Sequence, residues 1–316
     1  MRAVLTVFVL VSVGLLVGDL GLVAGPPDWA AAAELASPPL CGGELVLKPD
    51  GTPWVCSFDD EFDATTGDPT QLDRSKWVVQ TTAASNFWTG PYPNFACYVD
   101  DPNNVSVSDG YLNLTARQES APFDCHGLGG TTLPTSYTAG EVTTNGTFSQ
   151  TYGRFEVRAK LPSATVKGLQ ETLWLWPVDD TKYGAWPDSG EIDFAEFYSQ
   201  YPTLDVPYIH YQYDASTTDP ATDTNVVTNT TDCTINPGSF NDYVAVWEPG
   251  TITLSVNGHT CVTDHYVATG LTPPAPFDQP FFLTLTQALG VNTNAFDPAT
   301  TPLPATTQVD YVRVWK

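Results

Sequence analysis

The stretch YGRFEVRAKL, residues 152–161, alternates apolar and polar side chains along most of its length. A repeat of two is that of a β-strand with one buried face, whereas a helix repeats every 3.6 residues. The same alternation runs through VSVSDGYLNLT (105–115), TITLSV (251–256) and QVDYVRVW (308–315). Asp109-Gly110 and Asn257-Gly258 adjoin these runs. Such dipeptides reverse a chain in two residues because they tolerate positive φ. Clusters of Gly, Pro, Asn and Asp separate the remaining short apolar runs, and no long segment has helical periodicity. The pattern predicts an all-β chain folded as a sandwich of two sheets.

The N-terminus carries one Arg, an apolar run from Ala3 to Val17 and an Ala-rich stretch, Ala30 to Ala33. This is the pattern of a signal peptide and leader over residues 1–36, with cleavage after Ala24 or within Ala30–Ala36. An uncleaved anchor is the alternative, since hydrophobicity resumes at Leu20. No later segment is long and apolar enough to span a bilayer. Residues 41–316 contain no internal repeat and read as a single domain. All six cysteines lie there: Cys41, Cys56, Cys97, Cys125, Cys233 and Cys261. An even count in an exported chain favours disulfides; fifteen pairings exist, and chain order suggests neighbours, 41 with 56, 97 with 125 and 233 with 261.

Thirty-six acids against 12 bases give a formal charge of −24. Such a surface repels nucleic acid and anionic membrane, so neither is expected as a partner. The expectation is a secreted, extracellular monomer.

The chemistry concentrates in WPDSGEIDFAEFY, residues 186–198. In a regular strand Glu191 and Asp193 face one side and Glu196 the other. A β-bulge between Asp193 and Glu196 would absorb one residue and bring all three carboxylates to one face. Three such charges cannot all ionise cheaply in a cleft, so at least one pKa must rise. The division of labour expected is Glu191 as ionised nucleophile, Glu196 as acid/base and Asp193 as the group that holds the nucleophile. A chance cluster on a solvated strand is the bland alternative. Ile192, Phe194, Phe197 and Tyr198 weigh against it, because charge embedded in so apolar a run is costly without a use. Indole rings stack well on sugar faces, and Trp174 and Trp186 lie nearest the acids. Trp88, in SNFWTGPYPN, is the loop candidate, while Trp247 and Trp315 read as core.

Longer motifs extend the case: FDDEFD (58–63), LDRSKW (72–77), NNVSVSDGYLNLTA (103–116), YGRFEVRAKLP (152–162), GLQETLWLWP (168–177), FNDYVAVWEPG (240–250), PFFLTLTQALG (280–290) and VDYVRVW (309–315). Together with the Glu-x-Asp-x-x-Glu core they make residues 54–316 resemble the laminarinase-like glycoside hydrolases of family 16, in the bulged branch. GLQETLWLWP and PYIHYQY look most like secreted actinobacterial members. The resemblance implies a concanavalin A-like β-jelly-roll sandwich with a concave substrate cleft. It also implies a polysaccharide as partner and retaining endo-cleavage of β-1,3-linked or mixed β-1,3/1,4-linked glucan by double displacement, with no cofactor in catalysis. Nucleophile, assisting Asp and acid/base fall on Glu191, Asp193 and Glu196. Sugar contacts fall on Arg154, Trp174, Trp186, His210 and Gln287, and a structural calcium on Asp310 and the Gly110 carbonyl. Asn241 stands where many relatives have His, Gln287 where Asn is common, and Gln170-Glu171 where Trp-Pro is frequent. A β-galactan hydrolase, a transglycosylase and a non-catalytic carbohydrate-binding protein on the same scaffold are the alternatives.

Overall fold

The computed structural model describes residues 39–63, 72–214, 216–219, 221 and 225–316. The leader expected over residues 1–36 lies outside them.

The alternating segments pair into two large sheets. In one, strands run in the spatial order 259–264, 251–256, 240–248, 153–160, 305–315, 111–126, 132–139, 96–98 and 88–89, with 56–60 and 105–108 added at the side. The other has the order 208–210, 191–198, 169–177, 281–289, 141–143 and 78–79. Gly153–Lys160 shows why the sheets stack. Phe155, Val157 and Ala159 are buried while Arg154, Glu156, Arg158 and Lys160 point away. Leu173, Leu175, Ile192, Phe194, Leu283 and Leu285 from the second sheet meet them in one core. A sheet with one apolar face buries it only against another layer, and the result is a sandwich.

Both dipeptide turns form as read. Ser108 pairs with Tyr111 and Val256 with His259 across them. Asp109, Gly110, Asn257 and Gly258 all have φ between 51° and 78°, the geometry of two-residue hairpins. The longest helix described is the four-residue turn Thr82–Ser85. Among the described residues no helix is long and apolar enough to cross a membrane.

The cysteines pair as chain neighbours, Cys41–Cys56, Cys97–Cys125 and Cys233–Cys261, with Cα separations of 5.1, 5.8 and 5.4 Å. Asn241, the departure from the His of many relatives, is buried and closes a turn. Its Oδ1 accepts from the Asn236 backbone and from Asn257, while its Nδ2 donates to the Asn236 and Ser239 carbonyls.

Candidate active site

The second sheet positions the site. Its inward residues are spent on the core, so the alternate residues form an open face, and a cleft of about 660 Å³ lies there. Strand Leu169–Pro177 contributes Gln170, Thr172, Trp174 and Trp176. Strand Phe281–Leu289 contributes Phe282, Thr284, Thr286 and Ala288, and Glu191, Asp193, Glu196, His210 and Trp186 line the same space.

The three acids share one face because the register of their strand slips. Leu173 pairs with Ala195 but Trp174 pairs with Asp193, which leaves Phe194 as an extra residue. Phe194 and Ala195 are both buried in the core, so parity inverts between Asp193 and Glu196. Beyond the slip, Asp205 Oδ1 accepts from the Glu196 backbone N–H at 2.9 Å. The Val206 N–H returns a bond to the Glu196 carbonyl, also at 2.9 Å. These two bonds pin the displaced segment.

Neutral groups hold each carboxyl. The Trp186 indole donates to Glu191 Oε2 at 2.6 Å. His210 Nε2 lies 3.0 Å from Asp193 Oδ2, its ring stacked on Tyr208. Glu196 Oε1 accepts from the Tyr198 hydroxyl at 2.5 Å and from Gln170 Nε2 at 3.0 Å. Gln170 and Tyr198 are direct cross-strand partners, which is why both reach one oxygen.

Burial dominates the electrostatics. It pushes the Glu191 carboxyl up to about 8, with the charge of Asp193 adding and His210 and the Trp186 bond opposing. Burial raises Asp193 well above the carboxylate range, and Glu196 and Asp205 add to it. Glu196 is raised by burial too, and is drawn back chiefly by the Tyr198 hydroxyl. Burial lowers His210, which keeps the imidazole neutral near pH 7. The cluster therefore carries fewer charges than acids, as coupled groups in a dry cleft must.

Of the sugar contacts expected, Trp174, Trp186 and His210 are in the cleft. Two others, Arg154 and Gln287, are corrected. Arg154 lies on the opposite sheet, facing outward beside Phe155, where it pairs with Glu156 and sits over the Trp315 ring. Gln287 has inward parity and is fully buried, donating to Glu171 Oε1 at 2.5 Å and accepting from Thr307 at 2.9 Å. Trp88 is partly exposed and packs toward Phe95, while its neighbours Phe87 and Thr89 line the cleft. Trp247 and Trp315 are buried, as read.

The calcium expectation meets an occupied carboxylate. Asp310 Oδ2 accepts from Arg158 Nε at 3.0 Å, and Arg158 also binds Asp242 at 2.9 Å. The carboxylate nearest Gly110 is Asp63, 4.0 Å from where a Cβ would stand. Calcium takes six to eight oxygens, waters included, and with Asp310 paired to arginine the two expected ligands do not by themselves make a site. Among the described residues, Glu191, Asp193 and His210 place ligand-type atoms within 4.8 Å of one another. Two of these are acids of the catalytic cluster and the third is hydrogen-bonded to one of them.

Sequence reasoning passed over Tyr198, Trp176, Glu141, Thr284 and Thr286. Strand parity counted from Trp174 would have placed Trp176, and parity on 281–289 would have separated Thr286 from Gln287.

Comparison with known proteins places this geometry. The profile of glycosyl hydrolases family 16 matches residues 92–298. A glucan endo-1,3-beta-glucosidase A1 of Niallia circulans is 33% identical over 82% of this chain and 37% of its own length. A keratan-sulfate endo-1,4-beta-galactosidase of Sphingobacterium multivorum is 33% identical over 84% of this chain and 56% of its own. The chain thus spans about half or less of these two relatives. The solved laminarinase of Rhodothermus marinus superposes with a TM-score of 0.62 at 28% identity, covering 83% of this chain and 97% of that one. With the profile match covering more than half of the sequence and a relative of this identity over four-fifths of it, the chain belongs to glycosyl hydrolases family 16.

Proposed function

We propose that the chain is a secreted, retaining endo-glycosidase that cleaves β-1,3-linked or mixed β-1,3/1,4-linked glucan by double displacement. The observation that carries this reading is the single bulged strand presenting Glu191, Asp193 and Glu196 together on the floor of an aromatic cleft. In the first step a Glu191 oxygen bonds to the anomeric carbon while Glu196 gives its proton to the departing glycosidic oxygen. In the second, Glu196 takes a proton from water, the resulting hydroxide oxygen bonds to the anomeric carbon, and Glu191 leaves as carboxylate. The nucleophile must be charged, and the hydrogen bond from the Trp186 indole favours charge on Glu191 against its burial. Asp193, neutral and in line between the two glutamates, supports the nucleophile by a shared proton. The Glu-x-Asp-x-x-Glu spacing is that of the bulged branch, and a carboxyl separation of about 5–5.5 Å is what retention requires.

The leader-like residues 1–36 and the disulfides support export, and the charge of −24 supports a soluble monomer free of nucleic acid. A galactan substrate is the second reading, favoured by the likeness to the keratan-sulfate galactosidase. The deciding experiment is product release from laminarin, mixed-linkage β-glucan, agarose and desulfated keratan. Oligosaccharides from laminarin or mixed-linkage glucan, with the β-configured hemiacetal formed first by NMR, are expected. Release from a galactan alone would replace the substrate and keep the mechanism, while an inverted first product would overturn the mechanism.

A further inference from the structure

The cleft holds a fourth acid that the reaction does not use. Glu141 lines it from strand Glu141–Thr143 and is only 3% exposed. That strand is the third from the catalytic one, about 14 Å away at the usual strand spacing. Glu141 is therefore beyond reach of the bond being cut.

Hydrogen-bond direction shows which oxygen of this carboxyl is engaged. The Trp174 indole donates to Thr286 Oγ1 at 3.0 Å, and an indole can only donate. Thr286 thus accepts there and spends its own proton on Glu141 Oε2, at 3.1 Å. Oε2 is an acceptor, so a proton held by this carboxyl sits on Oε1. Burial without a neighbouring cation does hold one, pushing the group up to about 8. Oε1 has no protein partner among the described residues, yet it is not one of the sealed, unpartnered atoms. Its opening is the cleft.

We propose that Glu141 is a specificity residue that donates a hydrogen bond from Oε1 to an oxygen of a neutral sugar unit bound away from the cleavage point. This rests on the glycosidase reading and narrows its substrate class. The surrounding wall is uncharged, with Gln80, Thr143, Asn145 and Thr284. Among the described residues no Lys or Arg lines the cleft, so a sulfated or uronic unit would meet carboxyls and find no countercharge.

The test compares wild type, Glu141→Gln and Glu141→Leu on laminarin by initial rates, with thermal melts as a check of folding. Leucine removes the donor, and KM should rise about ten-fold with kcat falling far less, the mark of a contact made equally in ground and transition states. Glutamine can accept from Thr286 through its carbonyl and donate to the sugar through its amide, so it should keep the wild-type KM. Above about pH 8 the wild-type KM should climb as Glu141 loses its proton, while Glu141→Gln stays below it. Tyr98, the buried phenol beside Glu141, is pushed up and stays neutral there. Glu171, Glu191, Asp193, Glu196 and His210 titrate in both proteins and drop out of the difference. An unchanged KM in Glu141→Leu, or a KM in Glu141→Gln as poor as that of leucine, would overturn the proposal. Should Glu141→Leu fail to fold, the pH difference between wild type and Glu141→Gln decides alone. No turnover of any neutral glucan or galactan by wild type would sink the glycosidase reading instead. Titration of laminarihexaose followed by Trp fluorescence would then read the Glu141 contact by itself.

Discussion

The two outer faces of the sandwich begin from similar sequence, acids alternating with apolar residues along strands, and treat those acids in opposite ways. On the larger sheet three arginines each hold acids. Arg158 bridges Asp242 and Asp310, Arg154 pairs with Glu156, and Arg313 grips Glu61 by two bonds at 2.8 Å and Glu44 by one at 3.1 Å. On the smaller sheet no arginine or lysine among the described residues lines the cleft. Glu191 and Glu196 are held by an indole, a phenol and an amide, and Asp193 by a neutral imidazole. A guanidinium stabilises the carboxylate and removes it from proton chemistry, whereas neutral donors in a buried site orient a carboxyl and leave its proton exchangeable. Pairing with arginine marks a structural acid; neutral donors leave the proton of a cleft acid free to move.

Glu191→Ala tests that contrast most severely. Turnover should fall at least about 10³-fold with the melting temperature nearly unchanged; rates near wild type would remove Glu191 from the nucleophile's role. Phe194→Ala attacks the slip in register from behind. Loss of this fully buried ring should cost about 3–5 kcal/mol in urea unfolding. It should also depress kcat at temperatures where the protein stays folded, because the extra residue loses its anchor. A stable variant with full activity would show that the slip does not depend on the ring.

Tyr198→Phe sharpens the comparison on the acid/base. Burial raises Glu196 and the Tyr198 hydroxyl opposes it. Without the hydroxyl the carboxyl holds its proton to higher pH. The alkaline limb of kcat/KM, where the general acid is lost, should therefore move upward. A limb that stays in place would mean that another group sets it. Arg158→Ala is the smallest expected effect. All three side chains of its bridge are about a third exposed, so about 1 kcal/mol or less of stability should be lost, with kcat and KM unchanged. A large loss of activity there would break the distinction between the faces.

Much of this was legible in the chain itself. Alternation in YGRFEVRAKL and its counterparts required half-buried strands, since a one-residue shift would turn every apolar side chain to water. Two dipeptide turns, the neighbouring cysteines and the spacing of Glu191, Asp193 and Glu196 were equally local, and local features survive in sequence. Arg154 and Gln287 were misplaced for a different reason. Each alternates correctly within its own strand, but which sheet a strand joins, and which side of that sheet faces the core, depends on partners far along the chain. Trp174 pairs across to Thr284 and Asp193, residues no local pattern links. The sequence thus determined the strands, their turns and the spacing of Glu191, Asp193 and Glu196, through side-chain period and backbone preference. Only the tertiary structure decided which acids meet arginine and which line the cleft, because that depends on long-range packing and the burial it creates.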